Sequence, residues 1–364
     1  MIKSKSILVC PLDWGLGHAT RMVPVIDLLI KKGASVIIGA DNRPLAYLKL
    51  RFPDCEFIKF PGYQPTYPYS GSMALAMLKA FPKIKKEAKT ANQFLQKLIS
   101  KKKIDIIISD NRYELYSPDA YTIFLTHQLN IQTPGFTSLV KPIIQKTIFD
   151  YIKKHDELWI PDFETKPNLS GELSHIRKMP NDNYHFIGPL SRFSLIKETN
   201  ETNEIDLLIM LSGPEPQRTR LEEILIGQAI KTKYSTILLQ GKPENTKGSK
   251  QNNVQIIPHV GDQEMANLIQ SAKHIICRPG YTTIMDLSVF GKKAIFIPTP
   301  GQTEQEYLAA LYKKAGISYS KSQNKFDLLK SIDQQKNYKG LNTPYGEDIL
   351  ENSVLRILSE KFIR

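Results

Sequence analysis

Cys277-Arg278-Pro279-Gly280-Tyr281-Thr282-Thr283-Ile284-Met285-Asp286 is the stretch on which the reading of this chain turns. His274-Ile275-Ile276-Cys277 predicts a short buried strand, Gly280 a turn, and the residues after it a helix that carries Asp286. A strand feeding a glycine turn and a helix N-terminus presents unpaired backbone N–H groups and the positive end of a helix dipole, which suits a phosphate-bearing ligand. Asp286 falls further along the helix, where a carboxylate accepts hydrogen bonds from a ribose diol. A second strand is expected at 294–298, followed by a loop into a helix near Gln302. On these residues alone the plainer alternative, a simple turn and a solvated helix carboxylate, stays open.

Outward from this stretch the alternation of strand and helix recurs. Apolar runs at 205–211, 235–240 and 254–258 precede it, and the amino-terminal half repeats the pattern at 7–10, 35–40, 104–109, 121–125 and 157–160. Short strands that are apolar throughout and alternate with helices predict parallel sheets covered on both faces. The alternation stops around Tyr184-His185-Phe186-Ile187-Gly188-Pro189-Leu190 and gives way to the polar run Lys197-Glu198-Thr199-Asn200-Glu201-Thr202-Asn203. The fold class expected is α/β, two Rossmann-like doubly wound domains facing a cleft. The expected boundaries are an N-terminal domain over 1–190, a hinge-like linker over 191–204, a nucleotide-binding domain over 205–345, and a C-terminal helix within 346–364 packing back on the first domain. A length of 364 residues suits two domains better than one core.

Composition narrows the partners. Three cysteines without paired spacing read as small core residues rather than as disulfides or a zinc cluster. The first apolar run ends at Pro11, too short for a signal peptide or a membrane span, so the expected location is the cytoplasm. The net charge of +13 is uneven: residues 1–190 hold 26 Lys+Arg against 17 Asp+Glu, and 191–364 hold 23 against 19. From Lys79 to Lys103 there are nine lysines and one acid, Glu87, directly after Met73-Ala74-Leu75-Ala76-Met77-Leu78. Apolar and basic residues side by side favour an anionic membrane surface, the inner face of the cytoplasmic membrane; a solvated helix face is the alternative. No zinc finger, RNP-like aromatic motif or helix-turn-helix accompanies the charge, so no nucleic-acid partner is expected.

Gly15-Leu16-Gly17-His18-Ala19-Thr20 follows the first strand and, with Asp41 ending the second, invites comparison with a dinucleotide fingerprint. Thr20 stands where a third glycine or alanine belongs, and a histidine inside the loop is foreign to that fingerprint, so a nicotinamide cofactor has little support. At a helix start the dipole disfavours a charged His18 and leaves a neutral imidazole able to take a proton. A structural helix cap is the alternative role. Asp110-Asn111-Arg112 and Thr126-His127 each follow a strand, which makes Asp110, Arg112 and His127 candidates for holding an acceptor or orienting His18, against a buried Asp–Arg pair serving structure alone. The aromatic loop over 61–71, with Tyr63 and Tyr67, is long enough to bind an acceptor carrying a lipid tail.

Gly15-Leu16-Gly17-His18, Gly188-Pro189-Leu190-Ser191-Arg192 and Arg278-Pro279-Gly280 with Asp286 and Gln305-Glu306 together resemble glycosyltransferases of the two-Rossmann GT-B architecture, and most closely family 28, the MurG-like group. The resemblance spans nearly the whole chain and is tightest from about 254 to 316. It implies a UDP-sugar donor, an N-acetylhexosamine by class, and no bound cofactor or metal. His259 and Val260 match the family's uracil-holding backbone, and Asp286 its ribose-binding glutamate, one methylene shorter. Gly17, Arg278, Gly280, Tyr281, Thr282 and Thr283 match donor-site positions at the two turns, and Gln305 with Glu306 a Gln-Gln pair that reads sugar hydroxyls. Arg192 matches an arginine near the diphosphate. Ser212 and Gly213 occupy the family's phosphate turn, where Pro214, Glu215 and Pro216 depart from its pattern. The implied reaction is inverting transfer to a hydroxyl of a lipid-linked or surface-glycan acceptor, with His18 as base. The alternatives are a UDP-sugar 2-epimerase of the same fold and a non-catalytic protein binding anionic membrane or nucleic acid through its lysine face.

Overall fold

The computed structural model describes residues 4–62, 73–133, 141–196, 204–341, 347–360 and 362, and of 73–81 and 347 the backbone only. The chain divides into two compact units. One runs to Ser191 and takes in the final helix; the other begins at Arg192 and stops before that helix.

The first unit contains β1 (Ser6–Pro11), α1 (Leu16–Lys31), β2 (Ser35–Ala40), α2 (Asn42–Arg51), β3 (Glu56–Lys59), α3 (Met73–Lys102), β4 (Ile106–Asp110), β5 (Tyr121–Leu125), α4 (Lys141–Ile152), β6 (Glu157–Ile160) and β7 (Tyr184–Phe186). The strands form one parallel sheet in the order β3-β2-β1-β4-β5-β6-β7. Ile7, Leu8, Val9 and Cys10 are fully buried, as are Ile106, Ile107 and Ile108, because helices cover both sheet faces and no side of a central strand meets water. Winding reverses between β1 and β4, where Pro11 lies beside Asp110, and Asp110 in turn beside Leu125. The segments leaving β1, β4 and β5 therefore emerge next to one another, at the place where open α/β sheets bind ligands.

The second unit contains β8 (Ile205–Met210), α5 (Gln217–Ala229), β9 (Thr236–Leu239), β10 (Ser249–Gln251), β11 (Val254–Ile257), α6 (Asp262–Ser271), β12 (Ala272–Cys277), α7 (Tyr281–Val289), β13 (Ile295–Phe296), α8 (Thr303–Lys314), β14 (Tyr319–Ser320) and α9 (Leu328–Gln335). Its sheet order is β10-β11-β9-β8-β12-β13-β14, parallel except for the β10–β11 pair. Met210 pairs with Cys277, and Cys277 with Phe296, so the turns after β8, β12 and β13 also emerge side by side. The expected doubly wound α/β class holds for both sheets.

The final helix, α10 (Glu347–Ser359), packs on α1 within the first unit. Arg356 pairs with the buried carboxylate of Glu157 on β6, Lys32 pairs with Glu351, and the Lys5 ammonium donates to the carbonyl of Ile357 at 2.6 Å. Phe362 stacks on Tyr121 with ring centroids 3.6 Å apart. Tyr184–Phe186, read from sequence as the end of the alternation, is an edge strand, and β3, β10 and β14 are likewise strands without a sequence signal. Cys10 and Cys277 are buried in the sheets, Cys55 is half-buried, and none forms a disulfide. No helix among the described residues is long and apolar enough to cross a membrane. The linker run 197–203 and the aromatic loop with Tyr63 and Tyr67 lie outside the described residues.

Candidate functional site

In the first unit the chemistry gathers where β1, β4 and β5 end. α1 starts at Leu16, which puts Gly17, half-buried, and His18 in its first turn and Arg21 one turn beyond His18 on the same face. Arg21 and Asp110 are buried and form a two-pronged pair, the Arg21 Nε donating to Asp110 Oδ2 at 2.9 Å and Nη2 to Oδ1. His18 Nδ1 stands 3.0 Å from Asp110 Oδ2 and 2.9 Å from Arg21 Nη2. A neutral ring nitrogen cannot donate to one and accept from the other. Arg21 already has both Asp110 oxygens as acceptors, whereas a proton on Nδ1 gives His18 its bond to the carboxylate, so we assign the proton to Nδ1, which leaves the Nε2 lone pair as the base. Arg21 also donates through Nη1 to Nδ1 of buried His127, 3.1 Å away.

Electrostatics keep the His18 ring neutral. Burial, and next the Arg21 guanidinium, hold the His18 pKa below its usual value, with Asp110 pulling the other way. The sequence reading credited the helix dipole alone. Burial acts to raise the Asp110 pKa, but Arg21 and then His18 outweigh it and bring it to about 2. At neutral pH the pair is an ionised carboxylate holding a neutral imidazole, the arrangement a general base needs.

Arg112 plays a different part from Arg21. It is buried, lies over the Phe60 ring, and binds Glu114 through Nε at 2.9 Å, not Asp110. Its Nη1 is 3.9 Å from Asp13, whose Oδ1 accepts from the Asp41 N–H. Burial raises the Asp13 pKa to about 6 despite Arg112. Sequence reasoning missed Arg21 and Asp13. The signal for Arg21 was a cation amid the apolar residues of a helix, three residues after a histidine already under suspicion.

In the second unit Gly280 precedes the first residue of α7, so the N–H groups of Tyr281, Thr282 and Thr283 open the helix. Tyr281 is buried, which leaves its backbone rather than its ring for a ligand, while Thr282 and Thr283 are half-buried. Arg192 ties this turn to the neighbouring helix: Nη1 reaches Asp262 on α6 at 2.9 Å, and Nε stands 3.9 Å from Asp286 on α7. Half-buried His259 and buried Val260 lie just before α6, and burial, then Arg192, lowers the His259 pKa. Uracil-, ribose- and diphosphate-assigned positions thus share one neighbourhood around Arg192.

The phosphate-turn candidates after β8 are near the loop after β13. Gly213 has a φ of +99°, and a Cβ there would stand 3.5 Å from the Thr299 hydroxyl. Glu215, a departure from the family pattern, pairs with Arg218 at 2.7 Å. Gln305 is buried and accepts from the Thr299 N–H at 2.8 Å, and Glu306 accepts from the Gly301 N–H at 3.0 Å. Both side chains brace the loop in front of α8. Ser212 is exposed, and Arg278 is fully buried with its guanidinium on protein oxygens.

Residues 225–339 match the family model described as the glycosyltransferase family 28 C-terminal domain. A stretch of 93 residues is 34% identical to UDP-N-acetylglucosamine–N-acetylmuramyl-(pentapeptide) pyrophosphoryl-undecaprenol N-acetylglucosamine transferase of Histophilus somni (strain 129Pt). That match takes in 24% of this chain and spans only about a quarter, 26%, of the relative. Among solved structures, MurG of Acinetobacter baumannii aligns with a TM-score of 0.55 at 13% identity, over 97% of this chain and 98% of that one. The calicheamicin glycosyltransferase CalG4 aligns at 0.62 and 12% identity, over 98% and 95%. UGT89C1 of Arabidopsis thaliana, complexed with UDP-L-rhamnose, aligns at 0.62 and 14%, over 98% and 94%. The fold is that of the GT-B glycosyltransferases.

Proposed function

We propose that this protein is a glycosyltransferase that moves a sugar from a UDP-sugar to a hydroxyl group, with inversion at the anomeric carbon. The observation that carries the reading is the neutral His18 held by ionised Asp110 at the winding reversal of the first sheet. In the reaction His18 Nε2 takes the acceptor's hydroxyl proton while that oxygen attacks the anomeric carbon and the bond to the diphosphate breaks, releasing UDP. Asp110 stabilises the imidazolium that forms, and Arg21 holds Asp110 in register. In the second unit the α7 N-terminus and Arg192 meet the charge growing on the diphosphate, which removes the need for a divalent metal. Asp286 takes the ribose, and the 259–260 backbone the uracil.

The matched family model and the name of the Histophilus somni relative favour a UDP-linked N-acetylhexosamine as donor and a lipid-linked or surface glycan as acceptor. The lysines of 79–103, most of them on α3, suit peripheral contact with an anionic inner membrane face from the cytoplasm. The test is calorimetry with UDP, UDP-sugars and NAD(P), then turnover with lipid-linked acceptors in the presence of a chelator. Binding of UDP lost in Asp286→Ala, with turnover lost and UDP binding kept in His18→Ala, is expected. Binding of NAD(P) alone, or turnover of the UDP-sugar into its epimer without an acceptor, overturns the reading.

A further inference from the structure

Four arginines of the described residues are buried: Arg21, Arg112, Arg218 and Arg278. A buried guanidinium is costly unless an opposite charge accompanies it. Arg21 has Asp110, Arg112 has Glu114 and Arg218 has Glu215, each in direct contact. Arg278 has none, since no carboxylate among the described residues lies within 4.0 Å of it, although it is as fully removed from solvent as Arg21 and Arg112. Its partners are neutral oxygens: the carbonyls of Ile297 at 2.9 Å and Gln217 at 3.1 Å, and the Gln323 side-chain amide at 2.7 Å. Its Nε has no acceptor. Burial alone lowers its pKa, to about 10, which still leaves it charged at neutral pH.

The place of this charge is informative. Arg278 lies two residues before Gly280, Gln217 is the first residue of α5 after the Ser212-Gly213 turn, and Ile297 lies two residues before Thr299. One guanidinium therefore joins the three segments that leave β8, β12 and β13. A second buried polar group without a partner, the Thr299 hydroxyl, sits against the Gly213 turn. We propose that Arg278 is a positioning residue whose missing counter-ion is the diphosphate of the nucleotide sugar. It stays behind the turn, binds the three segments together, and adds an attraction for phosphate charge that low surrounding polarity leaves unscreened. This rests on the nucleotide-sugar reading above.

Gln323→Glu tests it with little change of shape, because it places a carboxylate where the amide oxygen already meets Arg278. Affinities of the full chain for UDP, UMP and uridine are measured by calorimetry beside the unsubstituted protein and Arg278→Gln. Both variants should weaken UDP about tenfold or more and UMP less, and leave uridine within about twofold; Gln323→Glu should also unfold at a higher temperature. Arg278→Lys should retain most of the preference for UDP over uridine. Equal losses for all three ligands make Arg278 a structural brace only, and unchanged UDP affinity in Gln323→Glu removes the electrostatic role; either overturns the proposal. An unsubstituted protein that binds uridine compounds not at all overturns the nucleotide reading first, and this inference with it.

Discussion

Replacing Asp110 with Asn keeps the shape of the residue and removes its charge. Two consequences follow from its contacts with Arg21 and His18. The imidazolium formed during transfer loses a charge-assisted hydrogen bond, an interaction worth about 1.5–3 kcal/mol. At about 1.4 kcal/mol per tenfold, kcat should fall roughly 10- to 150-fold. The acid limb of the pH–rate profile moves as well. Activity needs neutral His18 and is lost as pH falls through the His18 pKa; Asp110 raises that pKa, so its removal lowers it further. The variant should therefore show a lower plateau with its acid limb displaced to lower pH, and UDP affinity within twofold. Steady-state rates from pH 4.5 to 9, normalised to the UDP-binding fraction, supply the measurement. A displacement to higher pH, or an unchanged plateau, refutes the pairing of His18 with Asp110 as the basis of catalysis.

Other outcomes follow from buried charge elsewhere. Asp13 has a folded pKa raised to about 6, so the stability tied to its protonated form is present below its unfolded pKa near 3.8 and lost as pH rises through 6. Asp13→Asn should accordingly stabilise the protein by about 2–3 kcal/mol at pH 7.5, from about 1.4 kcal/mol per pKa unit, and by little at pH 4; thermal melts at the two pH values decide it. Asp110 runs in the opposite sense, its stability present above the unfolded pKa and lost as pH falls from about 4 towards 2. Arg356→Met leaves the Glu157 carboxylate, fully buried on β6, with the neutral donors of Trp159 and Tyr121 and the partly exposed His185 ring 3.7 Å away. Because Arg356 is itself partly exposed, the cost should lie near the low end for a broken buried pair, about 3 kcal/mol, seen as a lower urea midpoint and earlier proteolysis of α10. Reversing four lysines of 79–103 to glutamate should abolish binding to anionic vesicles and leave UDP affinity unchanged; retained binding places the membrane contact elsewhere.

Much of the α/β plan was legible because central parallel strands are buried on both faces and must be apolar throughout. Runs such as Ile7-Leu8-Val9-Cys10 and Ile106-Ile107-Ile108 have no other comfortable environment. The strands that left no signal, β3, β7, β10 and β14, are the four sheet edges, where a strand of two to four residues pairs on one side only. His18 stood out as a chemical group at the start of a predicted helix after a glycine turn, and Asp286 as one further along such a helix. What those groups touch was a tertiary matter. Arg21, one turn past His18, meets Asp110 only because β1 and β4, almost a hundred residues apart, are sheet neighbours. Arg112, two residues from Asp110 in sequence, instead pairs with Glu114. Arg278, read from sequence as a donor contact, is turned inward onto carbonyls of the adjoining segments. Periodicity and turn chemistry are local and so survive in one dimension; which carboxylate neutralises which cation depends on strand order, and that is decided only when the sheet closes.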